Sequence, residues 1–252
     1  MEVTILGCGT SFGVPMIACK CPVCTSSNPK NRRTRSSILV TVGDRNILVD
    51  TTTDLRAQAI ANGIEHVDAV LYTHPHAEHI HGIDELRRFN WVQGSAITCY
   101  GGAETLRYIR ETFKYIFVNP GLPGWQPNLT THEVEGPFEL FGQKIVPIEL
   151  MHGSLPIYGY RFGDFAYITD FSEIPEESEE LLKGVKVLVL EALRRDPHPS
   201  HITLDQAVEV AGRIRAERSI LTHMAHNLEY DEVNASLPKG VELGYDGMRL
   251  TI

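Results

Sequence analysis

The chain has 252 residues, of which 42% are hydrophobic and 22% charged, and its formal net charge is −9. The length favours a single domain over residues 1–252 rather than two domains. The acidic balance argues against a broad nucleic-acid-binding surface, which is usually basic. No apolar stretch reaches the roughly 18–20 residues of a membrane span, and the first residues do not resemble a signal peptide. We therefore expect a cytoplasmic protein.

Strand and helix patterns alternate through the first half of the chain. The pattern predicts strands at residues 3–6, 37–42, 46–49, 68–73 and 96–100, with a hairpin around Gly43 and Asp44. It predicts helices at residues 54–61, with Asp54 as the N-cap, and at 84–92 and 104–115. Residues 119–127 are rich in proline and glycine and are interpreted as a connecting loop or a lid, with Trp125 available for stacking.

The second half repeats this alternation. The pattern predicts strands at residues 144–150, 158–162, 165–169, 185–190, 218–222, 241–243 and 248–251. We expect the second and third of these to form one hairpin, and the last two another around Asp246 and Gly247. Predicted helices cover residues 175–183 and 204 to about 217, the latter capped by Thr203. Many strands with interspersed helices indicate two packed sheets with outer helices.

Candidate metal ligands follow several of these strands. The run His74-Pro-His76-Ala-Glu78-His79 comes directly after the strand at 68–73. Imidazole and carboxylate together suit zinc, manganese or iron. Further candidates follow later strands, namely His152, Asp170 and His223. A two-metal site of this composition would activate water and clamp a phosphoryl group.

The five cysteines suggest a second metal site. Cys19, Cys21 and Cys24 fall within six residues and provide three thiolates. In a reducing compartment such clustering favours metal binding over disulfides, and His226 would complete a Cys₃His structural zinc site around the loop at 19–24. Redox-active or free thiols are the alternative. Cys8 and Cys99 lie near strands and are expected in the core.

The order of these ligands at strand ends resembles the metallo-β-lactamase superfamily over essentially the whole chain. The resemblance implies an α/β fold of the αββα sandwich type, with a dinuclear site along one edge. It also implies which residues bind each metal: His74, His76 and His152 for the first, Glu78, His79 and His223 for the second, and Asp170 bridging both.

Within that superfamily, the cysteine loop and the run Thr222-His-Met-Ala-His226 resemble the phosphodiesterases of the carbon–phosphorus lyase pathway. This resemblance implies hydrolysis of a small phosphodiester such as 5-phosphoribosyl 1,2-cyclic phosphate. It implies two active-site metals (manganese or zinc, with iron as an alternative), one structural zinc and a homodimer. It assigns His201 to the phosphate chemistry above the metals and Glu78 to the orientation of the attacking water.

One residue departs from the family pattern, because Glu78 stands where the family has aspartate. The extra methylene moves the carboxylate by roughly a bond length, against metal–oxygen distances of about 2.0–2.2 Å. Three other functions therefore stay open: an endonuclease of the transfer-RNA 3′-end type, a thiolesterase or lactonase, and a non-catalytic metal-binding protein.

Residues outside the ligand set receive supporting roles. Arg32, Arg33 and Arg35 form a predicted basic patch that would hold a distal phosphate of the substrate. Asp50 ends a strand and is predicted to accept a hydrogen bond from a ligand histidine. We assign no catalytic role to His66, His132 or His198, and expect His81 beside the site or at the surface.

Overall fold

A computed structural model of the protein describes residues 1–118 and 124–252. The strands are β1 (Glu2–Gly7), β2 (Ser37–Val42), β3 (Arg45–Val49), β4 (Ala69–Leu71), β5 (Ile97–Gly101), β6 (Leu129–Glu133), β7 (Phe138–Leu140), β8 (Gln143–His152), β9 (Leu155–Phe162), β10 (Phe165–Ile168), β11 (Val187–Glu191), β12 (Arg218–Thr222), β13 (Val241–Leu243) and β14 (Met248–Thr251). The α-helices are α1 (Leu55–Asn62), α2 (Ala77–Ile80), α3 (Leu86–Gln93), α4 (Ala103–Thr112), α5 (Lys114–Val118), α6 (Glu176–Leu182), α7 (Leu204–Ile214) and α8 (Tyr230–Ser236).

The strands form two seven-stranded sheets. The first has the order β14-β1-β2-β3-β4-β5-β6, and the second has the order β13-β12-β11-β10-β9-β8-β7. Strands β3 to β6 run parallel, as do β10 to β13. Parallel neighbours need long crossover connections, which explains why helices interrupt the chain between these strands. The metal-ligand segments after β4, β10 and β12 occur in such connections, whereas His152 ends β8 at an antiparallel hairpin with β9.

The alternation of apolar residues along the strands builds two layers of core. In β2, Ile38 and Val40 belong to a cluster that contains residues of both sheets, whereas Leu39 belongs to a cluster shared with the helices between β3 and β6. This division follows from the two-residue period of a strand, because successive side chains point to opposite faces. Helix α7 packs Leu204, Ala207 and other apolar residues on the second sheet. The arrangement confirms the predicted αββα sandwich.

The closing hairpin predicted around Asp246 and Gly247 is wrong. Strand β13 pairs in parallel with β12, whereas β14 pairs antiparallel with β1 in the other sheet. Leu243 and Leu250 still share the core between the sheets, one from each side. The short segment between the two strands therefore crosses from one sheet to the other, and apolar alternation alone could not reveal this.

Several element boundaries also differ from the sequence-based expectation. The helix predicted at 104–115 is split at Phe113 into α4 and α5, and α7 ends at Ile214 because Arg215 takes a left-handed conformation. Strands β6 and β7 and helices α2 and α8 were not predicted. Residues 119–123 of the predicted lid lie outside the described residues, while Trp125 is 72% exposed. No helix in the described part of the chain has the length and apolar character needed to cross a membrane.

Candidate metal centres

The structure gathers the predicted ligands at one edge of the two sheets. His74 follows β4, His152 ends β8, Asp170 follows β10 and His223 follows β12. His74, Asp170 and His223 are almost completely buried. Asp170 and His223 have φ values of 60° and 54°, which non-glycine residues rarely adopt. Such conformations tend to occur at functional sites, where the surrounding structure compensates for the strain.

The ligands fall into two groups that correspond to the two predicted metals. His74, His76 and His152 bring ligand nitrogens within 4.8 Å of one another. A second group, also within 4.8 Å, consists of Glu78, His79, Asp170 and His223. The His79 Nε2 atom lies 3.3 Å from Asp170 Oδ2, and His223 Nε2 lies 2.9 Å from Asp170 Oδ1.

Unsatisfied polar atoms test whether metals fit these groups. The Nε2 atoms of His74, His79 and His223 and the Oδ1 atom of Asp170 are buried and make no hydrogen bond of acceptable geometry within the described ranges, although His223 Nε2 lies 2.9 Å from Asp170 Oδ1. Leaving buried polar atoms unpaired costs about 1–3 kcal/mol each, so native proteins rarely do so without compensation. These atoms are the donors that divalent metals take, and the residues present therefore fit two metals.

Asp50 holds the ligand histidines from behind. The His79 Nδ1–H group donates to Asp50 Oδ2 at 2.7 Å, and the hydroxyl of Thr73 donates to the same carboxylate at 2.8 Å. The Thr73 oxygen in turn accepts from His74 Nδ1 at 3.0 Å. Both imidazoles thus keep a proton on Nδ1 and a free lone pair on Nε2. Asp50 therefore accepts a hydrogen bond from a ligand histidine, as predicted. Through the hydroxyl of Thr73, the same carboxylate also orients His74.

The electrostatic environment favours metal-binding protonation states for His74, His152 and Asp170, whereas for His79 the charges of Asp170 and Asp50 outweigh burial and raise its pKa well above the usual value. Burial lowers the pKa of His74 well below its usual value and that of His152 to about 4, so both imidazoles stay neutral. Although burial raises the pKa of Asp170, the neighbouring imidazoles of His223 and His79 outweigh it and hold that pKa well below its usual range. Metal binding requires these forms, because a protonated ligand has no lone pair to give.

Glu191 is a site residue that the sequence analysis missed. It ends β11, is completely buried, and accepts a hydrogen bond from His201 Nδ1 at 2.8 Å. The backbone N–H of Phe171 donates to Glu191 Oε1, and His223 Nδ1 lies 3.7 Å from Glu191 Oε2. Burial raises the pKa of Glu191 well above its usual value. A carboxylate directly after an apolar strand, as at Asp50, was the signal that could have identified it.

The cysteine loop meets His226 as predicted. The Sγ atoms of Cys19, Cys21 and Cys24 lie 3.2, 3.3 and 3.6 Å from His226 Nδ1. Zinc–sulfur and zinc–nitrogen bonds in a tetrahedral site place sulfur and nitrogen about 3.6 Å apart. All five cysteines are free thiols, and the residue set fits a closed structural zinc site. Cys8 and Cys99 are buried in the core, as expected.

The predicted basic patch does not form. Arg33 is only 1% exposed and donates hydrogen bonds to the carbonyls of Ala225 and Leu228 at 2.9 and 2.5 Å. Arg35 forms an ion pair with Asp54 at 3.1 Å. Asp54 occupies the N-cap position of α1, as predicted, but its carboxylate binds an arginine and makes no capping hydrogen bond to the start of the helix.

Comparison with known proteins agrees with this architecture. A sequence model of the β-lactamase superfamily domain matches residues 45–224. The chain belongs to the metallo-β-lactamase superfamily. The solved structure of a new diphosphatase from the PhnP family is 43% identical with a TM-score of 0.94, and the match covers 100% of this chain and 97% of that one. Zinc-bound PqqB from Methylobacterium extorquens has a TM-score of 0.81 at 20% identity, over 100% of both chains, and so shows the fold alone.

Among curated proteins, the chain is 38% identical over 257 residues to an octanoyltransferase of Porphyromonas gingivalis, covering 100% of this chain and 52% of that protein. The chain therefore spans about half the length of this relative, and the name describes a longer protein. Superfamily membership implies divalent metals, and together with the similarity to a diphosphatase it supports a metal-dependent hydrolase.

Proposed function

We propose that this protein hydrolyses a phosphodiester bond in a small substrate with water activated between two divalent metals. The observation that carries the proposal is the pair of ligand groups, the second of which contains the buried, ionised Asp170. Two metals in this arrangement would supply a water nucleophile that is active near neutral pH and positive charge against the phosphoryl oxygens. A small cyclic phosphodiester such as 5-phosphoribosyl 1,2-cyclic phosphate is the substrate that the resemblance to the phosphodiesterases of the carbon–phosphorus lyase pathway implies.

Glu78 supports this function despite its extra methylene. It lies in the first turn of the short helix α2, and its carboxylate falls within the same 4.8 Å group as His79, Asp170 and His223. The backbone at this position therefore brings the longer side chain to the site. We assign Glu78 to the second metal and to the orientation of the attacking water.

His201 is suited to protonate the leaving oxygen. Its Nδ1 atom is held by Glu191, and its ring stacks on His223 with ring centroids 5.1 Å apart and an interplanar angle of 15°. With Nδ1 fixed in this way, Nε2 is the atom available to exchange a proton with substrate. Burial lowers the pKa of His201, which makes its protonated form a stronger acid.

The similarity to a diphosphatase supports a second, related reaction. Hydrolysis of a phosphoric anhydride uses the same metals and the same acid, because water attacks phosphorus in both cases and an oxygen leaves. An endonuclease on structured RNA has less support, because the chain carries a net charge of −9 and the predicted arginine patch is absent.

The experiment that tests the proposal combines metal analysis with hydrolysis assays. Protein purified without added metal is analysed by mass spectrometry, and cleavage of bis(p-nitrophenyl) phosphate, a cyclic phosphodiester and a diphosphate is measured with manganese. We expect about three metals per chain, one of which resists mild chelation. His76→Ala should abolish cleavage, whereas His132→Ala should not, since His132 is exposed on β6 and outside both ligand groups.

The alternatives give different results in the same experiment. A single tightly held zinc without hydrolysis after metal addition would leave a non-catalytic metal-binding protein. Faster cleavage of a thiolester or a lactone than of any phosphate substrate would indicate a thiolesterase or a lactonase.

A further inference from the structure

A cavity of about 230 Å³ opens beside the candidate dinuclear site. His201 and His223 line it on the side of the metal ligands, and its other walls include Phe12, Met16, Arg194 and His198. These residues come from the loop after β1 and from the segment that follows β11. A chemical group bound in this cavity would therefore be adjacent to the reacting bond.

The cavity lining is unusual for so acidic a protein. The chain carries 32 acidic and 23 basic side chains, yet the described residues that line the cavity include no carboxylate. Their polar groups are hydroxyls, an amide and imidazoles, and the guanidinium of Arg194 adds a permanent positive charge. A concave surface of one sign attracts and concentrates ligands of the opposite sign.

Arg194 is available for an external anion. Its Nε atom donates to the carbonyl of Asp196 at 3.1 Å, and its Nη2 atom donates to the carbonyl of Pro197 at 2.9 Å. These bonds hold the guanidinium against its own loop. Across residues 1–118 and 124–252, no carboxylate pairs with Arg194 and no acceptor binds its Nη1 atom. By contrast, most other arginines that contact a polar group within the described residues form ion pairs with carboxylates, for example Arg35, Arg107 and Arg213.

His198 supplies a second donor. Its Nδ1 atom lies 3.3 Å from the backbone N–H of Ser200 and accepts from it. The neutral imidazole then carries its proton on Nε2, which leaves that atom as a donor. The ring is 4.9 Å from the ring of His201. From the sequence we assigned no catalytic role to His198, but its ring lines this cavity and can bind a ligand there.

We propose that this cavity is a subsite for a second phosphate group of the substrate, one that is not hydrolysed. Arg194 and His198 bind that phosphate, while Phe12, whose side chain is 67% exposed, contacts the organic part of the molecule. The inference rests on the proposed function, because the scissile phosphoryl group is taken to bind at the metal ligands. It places a distal-phosphate site in the loop after β11 in place of the arginine patch at 32–35.

The test measures binding by calorimetry, so that it does not depend on turnover. The probes for metal-loaded protein are inorganic phosphate, ribose 5-phosphate and ribose 1,5-bisphosphate. In the wild-type protein the bisphosphate should bind at least tenfold more tightly than inorganic phosphate, since it reaches both sites. Arg194→Gln should remove most of this advantage, and Arg194→Lys should keep a large part of it because the charge is retained.

The matched control is Arg195→Gln, which removes an exposed neighbouring charge that does not line the cavity. It should leave the affinity for the bisphosphate unchanged within twofold. An equal loss of affinity for bisphosphate and inorganic phosphate in Arg194→Gln, or no loss for either, would overturn the subsite. Failure of the proposed function can be distinguished from failure of the subsite. It would appear as absent hydrolysis in the activity assays, whatever the calorimetry shows.

Discussion

The Glu191→Gln substitution tests whether the buried carboxylate acts through His201. Glutamine has nearly the same shape, and its carbonyl oxygen can still accept the hydrogen bond from His201 Nδ1 that the structure shows at 2.8 Å. The substitution removes the ionisable carboxyl group beside the His201 imidazole and keeps the side-chain volume, although its NH₂ group replaces the oxygen that accepts from the Phe171 N–H. Burial raises the pKa of Glu191, but a protonated His201 imidazole favours the ionised carboxylate, and a hydrogen bond to a charged group contributes about 1.5–3 kcal/mol. Loss of that contribution in the transition state corresponds to a decrease in kcat of about 10- to 150-fold.

The assay compares two diesters with the same metal-loaded protein. A diester with a p-nitrophenol leaving group needs little protonation, whereas one with an alkyl leaving group needs a general acid. We expect the larger loss in kcat with the alkyl substrate. A double-mutant cycle with His201→Ala should show that Glu191→Gln costs little once the histidine is gone.

Glu149→Gln is the control, because Glu149 is an exposed carboxylate on β8 that belongs to neither ligand group. Equal losses for both leaving groups, or a full loss in the His201→Ala background, would refute the assignment of Glu191 as a positioning residue for the acid.

Three further predictions concern metal binding and stability. Asp50→Asn should weaken metal affinity by about 10- to 100-fold, measured by competition with a chelator, because His79 Nδ1 loses its charged acceptor; unchanged affinity would contradict this role. Cys21→Ser should remove one metal per chain in mass spectrometry and lower the melting temperature while the other two metals remain; three retained metals would argue against the structural site. Burial raises the pKa of Asp246 from 3.8 to about 6, so its folded-state pKa lies above the unfolded one. Stability from this group is therefore present below about pH 4 and is lost as pH rises through 6, by about 3 kcal/mol relative to Asp246→Asn. Urea unfolding of both proteins between pH 4 and 7 measures this difference, and parallel curves would rule it out.

Local sequence patterns were sufficient to predict the candidate ligands. Each of them follows a run of apolar residues, and the end of a buried strand is where a chain can turn polar side chains toward a common point. His74, Asp170 and His223 were predicted in this way, and the structure brings them together.

The partners of buried polar residues could not be predicted in this way. Arg33 follows a loop and is adjacent to other basic residues, a pattern typical of a surface patch. In the structure its guanidinium binds the carbonyl of Leu228, a residue 195 positions away in sequence. Nothing near Arg33 in the sequence indicates that contact. Its burial is determined by how the loop of the cysteines packs against the segment that follows β12.

The sequence by itself determined the types of ligand, their order along the chain and the layered fold, because these depend on short-range periodicity and on the chemistry of single side chains. Only the tertiary structure decided that β13 and β14 belong to different sheets, that Glu191 holds His201, and that Arg194 lines a cavity whose described lining contains no carboxylate. Each of these features depends on distances between residues far apart in the chain, and such distances are set by the packing of the two sheets and their connecting loops.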